Sequence, residues 1–182
     1  CFGIFLFIML PIVLSIQDKK EDYVASIKGS NFSLKDVNNN LITEESFQGP
    51  TTALFFGFTH CPDVCPMTLN KLSIILEKLE KENKSLKIFF ISIDPERDTP
   101  EVMKDYLNSF EGKFTGITGE PEKIFKLSQS WGIASQKIFS EGGEYTVNHS
   151  SPVILLKNGK YVDRITHKDD LKRSIKIIKK YL

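Results

Sequence analysis

Cys61 and Cys65, with three residues between them in FFGFTHCPDVCP, follow an apolar run that reads as a buried strand and precede a helical pattern. Two thiols at i and i+4, held where a strand feeds a helix, can reach a common metal ion or one another, and the helix N-terminus lowers the cost of the thiolate. The chemistry on offer is soft-metal binding, disulfide exchange, or both. Pro62 and Pro66 stiffen the loop that presents the two sulfurs. His60 and Asp63 make that loop polar, which predicts exposure and argues against two cysteines packed merely as small hydrophobes.

Two thiolates need a further ligand for a defined metal site, and the chain has three histidines. His60 adjoins Cys61, and neighbouring side chains near a strand end point apart. His167 precedes the charged start of a predicted last helix and reads as solvent-facing. His149, in VNHSSPV, sits just before a predicted central strand. Alone it reads as an ordinary loop histidine; with the paired thiols it becomes a candidate ligand. Soft sulfurs with one imidazole favour copper(I), whereas zinc asks for a fourth ligand or a water. Redox-active cysteine pairs commonly have two intervening residues rather than three. The wider spacing eases a shared metal ion and still allows a disulfide.

These residues need elements to position them. Residues 32–43 alternate apolar and polar on either side of Asn38, Asn39 and Asn40, the pattern of a hairpin with a turn tolerant of left-handed backbone. TTALFFGFT and LKIFFISID read as buried strands. Between them Leu69, Leu72, Ile75, Leu76 and Leu79 recur at helical spacing. Thr99 and Pro100 predict the N-cap and first position of a helix whose apolar residues are Val102, Tyr106 and Phe110. A short strand, FTGIT, leads to a helix over 121–131. The segment 133–152 reads as extended chain with a turn at Gly142 and Gly143. Strands PVILL and KYVDRI flank an Asn158-Gly159 turn, and a helix over 169–181 closes the chain, its Leu171, Ile175 and Ile178 stripe covering a sheet face. The order implies a thioredoxin-like α/β sandwich with an added N-terminal β-hairpin, a fold that returns the chain at His149 beside the cysteine loop.

The 182 residues suit one domain and a short extra segment. With 41% hydrophobic and 26% charged residues the chain is neither disordered nor multispanning. A net charge of +1 offers no electrostatic footprint for nucleic acid. Three cysteines are too few for a disulfide scaffold. Residues 1–17, CFGIFLFIMLPIVLSIQ, form an apolar stretch followed at once by DKKEDY, and read as a membrane anchor or signal segment, with a truncated span preferred over a cleaved signal or a lipidated Cys1. Residues 18–28 then serve as a linker and 29–182 as the globular domain, delivered across a membrane.

FFGFTHCPDVCPMTLNKL, ISIDPERDTPEVMKDYL and VNHSSPVILL, in that order and spacing, resemble the Sco/SenC family of membrane-anchored, thioredoxin-fold copper proteins, from about Phe32 to the final helix. The resemblance implies a copper chaperone that helps assemble the binuclear copper centre of cytochrome c oxidase, with Cys61, Cys65 and His149 at the family's copper-ligand positions. It also implies that the cysteines, as a redox-active pair, reduce thiols of the copper-receiving oxidase subunit. The expected location is an inner membrane, spanned once, with the globular domain in a periplasm or a mitochondrial intermembrane space. In DPERDTP, Asp98 or Thr99 can cap a helix. The family motif suggests in addition that Asp98 influences the copper site or partner docking, while Arg97 can pair with a carboxylate locally or on a partner. Pro152 departs from the family pattern, and by analogy with thioredoxin-like reductases its peptide bond is expected to be cis.

A thiol–disulfide oxidoreductase without obligatory metal is the alternative, with Cys61 attacking a partner disulfide and Cys65 resolving the mixed intermediate. A peroxiredoxin-like peroxidase fits less well, because that family needs a Thr three residues before its reactive Cys and Thr59 is only two before Cys61.

Overall fold

The computed structural model describes residues 32–182. The anchor and linker assigned to residues 1–17 and 18–28, and the first residues of the segment 29–182, lie outside the described residues. Among the described residues no helix is long and apolar enough to cross a membrane.

The elements run β1 (Leu34–Asp36), β2 (Leu41–Ile42), a 3-10 turn (Glu44–Phe47), β3 (Thr52–Gly57), α1 (Val64–Glu80), β4 (Lys87–Ser92), α2 (Pro100–Asn108), β5 (Phe114–Thr118), α3 (Pro121–Ser130), β6 (Ser135–Phe139), β7 (Tyr145–His149), β8 (Val153–Lys157), β9 (Lys160–Ile165) and α4 (Leu171–Lys179). Seven strands form one mixed sheet in the order β2-β1-β5-β4-β3-β8-β9, with β3, β4 and β5 parallel and β1, β8 and β9 antiparallel to their neighbours. This is the thioredoxin-like α/β arrangement, with the β1–β2 hairpin at one edge.

β3 lies at the centre, and its side chains alternate between two cores. Ala53 and Phe55 face α1, α2 and α4, while Leu54 and Phe56 face the 3-10 turn, α3 and Trp131. All four are fully buried, which is why the strand reads as a continuous apolar run rather than an alternating one. Each large side chain so buried contributes about 1.5–3 kcal/mol of transfer free energy. In α1 the predicted stripe holds: Leu69, Leu72, Ile75 and Leu79 are buried, and Leu76 packs at their margin.

The phase of α2 differs from the expected one. Thr99 caps it, accepting from the Val102 N–H, and Pro100 opens it. Yet Met103 and Leu107 are the buried residues, Tyr106 and Phe110 sit at the edge of the core, and Val102 is exposed. The cause lies on β5. Gly116 has no side chain, and a Cβ there would stand 2.6 Å from the Met103 sulfur and 2.8 Å from a Leu107 methyl, so this pair seats directly on the strand backbone.

The extended segment 133–152 folds into the β6–β7 hairpin, a separate two-stranded antiparallel sheet. Its register sets Ser135 opposite His149 and Phe139 opposite Tyr145. α4 begins after Asp170, whose carboxylate accepts from the Arg173 N–H. It lays Ile178 into the core, with Leu171 and Ile175 at the margin, as the sequence predicts.

Candidate metal centre

β3 ends at Gly57, and the chain turns at once: the Cys61 N–H donates to the Phe58 carbonyl at 3.2 Å. Cys61 therefore stands in the loop before α1, and Cys65 is the second residue of that helix. Their environments differ. Cys61 is partly exposed and Cys65 is fully buried. Loop polarity predicted an exposed pair, but polarity describes only His60 and Asp63, which are exposed. Cys65 is drawn inside because Gly57 leaves room for it: a Cβ at 57 would lie 2.8 Å from the Cys65 sulfur. A glycine inside a buried strand is the sequence signal that could have revealed this approach.

The two thiols are free and share their protons unequally. Cys61 is lowered to about 3, chiefly because its sulfur accepts a hydrogen bond from the Cys65 thiol, with further help from the backbone N–H groups of Asp63 and Cys65 at the start of α1. Cys65 is pushed up, because it is the donor to Cys61 and because burial penalises its ionised form. The pair is a thiolate at Cys61 held by a thiol at Cys65.

His149, the last residue of β7, completes the group. Its Nε2 lies 3.9 Å from the Cys65 sulfur, and the ligand atoms of Cys61, Cys65 and His149 all fall within 4.8 Å of one another. The Nδ1 meets the Ser150 carbonyl at 3.0 Å. A carbonyl can only accept, so Nδ1 carries the proton and the Nε2 lone pair faces the sulfurs. Phe58 packs edge-on to the imidazole, with ring centroids 5.7 Å apart. Bonds of about 2.0–2.3 Å to a common ion hold ligand atoms no more than about 4.5 Å apart, so small side-chain rotations close this set around a metal.

The other histidines stay out of the set. His60 is exposed and turns toward Thr59 Oγ1, 2.9 Å from its Nδ1, and His167 is exposed beyond β9. Asp98 does not touch the three ligand atoms. It is fully buried behind the loop, where it accepts from the Thr59 N–H at 3.2 Å, the Thr59 hydroxyl at 2.6 Å and the Ser92 hydroxyl at 2.6 Å. Burial raises its pKa, against the pull of these donors. It braces the residues just before Cys61 and has no exposed surface with which to meet a partner, and the helix cap belongs to Thr99. The Ser151–Pro152 bond is trans, which overturns the expected cis isomer. Trans is the lower-energy isomer of an X–Pro bond, and here it leads directly into the β8 ladder, where Val153 pairs with Phe55. The reductase reading loses the support drawn from that proline.

Sequence reasoning also missed Arg97, Tyr145 and Phe58 as neighbours of the centre, since only the fold brings the loop after β4 against β7.

The SCO1/SenC family model matches residues 20–182. The SCO2-like protein of Rickettsia typhi is 38% identical over 164 residues, covering 84% of this chain and 81% of the relative. Protein SCO1 homolog 1, mitochondrial, of Arabidopsis thaliana is 40% identical over 130 residues, 70% of this chain and 39% of that one. Among solved structures, Bradyrhizobium japonicum ScoI with copper bound superposes with a TM-score of 0.77 at 37% identity, covering 85% of this chain and 99% of that chain.

Proposed function

The chain belongs to the SCO1/SenC family, and from that premise we propose that it is a copper metallochaperone. In this reading Cys61, Cys65 and His149 take one copper ion and pass it to the copper-receiving subunit of cytochrome c oxidase, helping to assemble its binuclear copper centre. The observation that carries the reading is the convergence of two sulfurs and an imidazole lone pair within 4.8 Å, with the tautomer already set by Ser150. Two soft sulfurs and one nitrogen suit copper(I), which accepts a three-ligand site that zinc would complete with a fourth. Copper analysis of the purified, reduced globular part tests it: one copper per chain supports the reading, and a metal-free protein after copper(I) loading removes it.

The thiol pair supports a second role at the same site. Cys61 is the thiolate and attacks a disulfide of the target; Cys65 then gives up its proton and displaces the target sulfur. The target gains two electrons and this chain is left with a Cys61–Cys65 disulfide. Reduction of the receiving thiols and copper delivery are then successive tasks of one centre. Residues 1–17 are proposed to anchor the protein in an inner membrane, with the domain in a periplasm or a mitochondrial intermembrane space. The support is the apolar run and the relatives from a bacterium and a mitochondrion. Release of the full-length protein from membranes by alkaline carbonate would rule the anchor out.

A further inference from the structure

The β6–β7 hairpin that carries His149 is no part of the seven-stranded sheet that carries the cysteines. Contacts other than the main ladder must hold the imidazole in place. Arg97, in the loop after β4, is placed to do so. Its guanidinium lies 3.9 Å from the centroid of the Tyr145 ring and 5.9 Å from that of Phe58. Its Nη1 donates to the Tyr145 carbonyl at 2.9 Å, and its Nε donates to Asp94. The buried Asp94 accepts the Tyr145 hydroxyl at 2.7 Å on its other oxygen. Arg97 Nη2 is buried without a hydrogen-bond partner, as fits a planar cation lying on an aromatic ring.

Both rings lead to the imidazole. Tyr145 opens the strand that His149 ends, and Phe58 is the ring against which His149 packs. The same network reaches the cysteine side. The Asp94 N–H donates to Ser92 Oγ at 3.0 Å, the Ser92 hydroxyl donates to Asp98, and Asp98 holds Thr59, two residues before Cys61.

We propose that Arg97 is a positioning residue for the metal site, tying Tyr145 to Asp94 while lying over the Phe58 ring, and so fixing His149 relative to the Cys61–Cys65 pair. The proposal rests on the copper reading of that site. A lysine could not replace it, because one ammonium cannot span the Asp94 carboxylate and the Tyr145 carbonyl while lying flat on the ring.

The test is a cycle of copper(I) affinities, measured by competition with a chromogenic copper(I) chelator, in the reduced wild type, Arg97→Ala, His149→Ala and the double variant. Arg97→Ala is expected to weaken copper roughly 10–100-fold, the usual effect of losing a group that orients a metal ligand. In the His149→Ala background it should cause no further loss. Unchanged affinity in Arg97→Ala, or an equal further loss without His149, would overturn the proposal. Arg97→Lys, which keeps the charge but cannot hold the Asp94 carboxylate and the Tyr145 carbonyl together, carries the same cycle if Arg97→Ala does not fold, with a smaller loss in the same direction. A second readout needs no metal: the NMR contact between the Phe58 and His149 rings in the reduced apoprotein should weaken in Arg97→Ala, and its persistence would sink the role. A wild type that binds no copper would instead refute the copper reading, leaving the ring contact to decide on Arg97.

Discussion

The sulfur of Cys65 faces the Nε2 of His149 across 3.9 Å, while the other ring nitrogen of that histidine is committed to the Ser150 carbonyl. The imidazole thus presents a lone pair to the thiols before any ion arrives. Its orientation is set by β7 and by the Phe58 ring, and the sulfurs are set by the turn from β3 into α1. Such preorganisation reduces the ordering that binding would otherwise require.

The unequal thiols make a pH prediction. Because Cys61 is lowered to about 3, alkylation of that residue in the reduced apoprotein should stay nearly level from about pH 8 to about pH 5. An ordinary thiol, with a pKa of about 8.5, would slow steeply over the same range. Cys65→Ala removes the main donor to the Cys61 sulfur and should restore much of that slope. Because the folded value is depressed, the stability that Cys61 contributes grows as pH rises to the unfolded thiol pKa and is lost as pH falls through about 3, whereas the raised Cys65 thiol takes stability away once pH exceeds the unfolded value. Copper(I) binding near neutral pH should release a proton from Cys65 alone, since Cys61 is already ionised; release of two, seen by calorimetry in buffers of different ionisation enthalpy, would contradict the shared-proton arrangement.

Asp98→Ala strips the acceptor from the Thr59 N–H and hydroxyl and from Ser92 in a buried site. Its cost should be about 3 kcal/mol, well above that of a lost helix cap, because buried donors are left unpaired. For a domain of this size that lowers the melting temperature by roughly 6–12 °C. Copper affinity should fall with it, as the loop before Cys61 loosens. A melting temperature within a degree of wild type would show that Asp98 is not the brace.

Gly57→Ala should push Cys65 off the strand, since the new methyl would meet its sulfur at 2.8 Å and the Phe90 ring at 2.8 Å. Overpacking of this kind costs typically 1–3 kcal/mol, on the order of one buried contact. Copper affinity should drop as well. Gly142→Ala, where a Cβ meets nothing within 4 Å, is the control and should leave stability and affinity unchanged, as circular dichroism and chelator competition can show. Equal behaviour of the two variants would mean that the close approach at Gly57 is not required.

Much of this was legible in the chain. The apolar run of β3, the Thr99-Pro100 start of α2 and the Asn-Gly turn after β8 are local signals, and each appears where it was read. The Cys61, Cys65 and His149 convergence followed from motif order and the return of the chain in a thioredoxin-like fold. What could not be read depends on contacts between distant segments. The phase of α2 is set by Gly116 on β5, the burial of Cys65 by Gly57, and the clamp on β7 by Arg97 and Asp94. The proline analogy misled for the same reason: a motif borrowed from reductases said nothing about the trans bond by which this chain enters β8.

Copper(I) binding by the reduced protein, compared with its oxidised form and with His149→Ala, tests the central claim most directly. One copper per chain is predicted for the reduced wild type and none for the Cys61–Cys65 disulfide, which removes both thiolate ligands. His149→Ala should bind more weakly while its disulfide forms and is reduced as in wild type, whereas Cys61→Ser or Cys65→Ser should lose both properties. Copper held as tightly without His149, or retained by the disulfide form, would contradict the three-residue site.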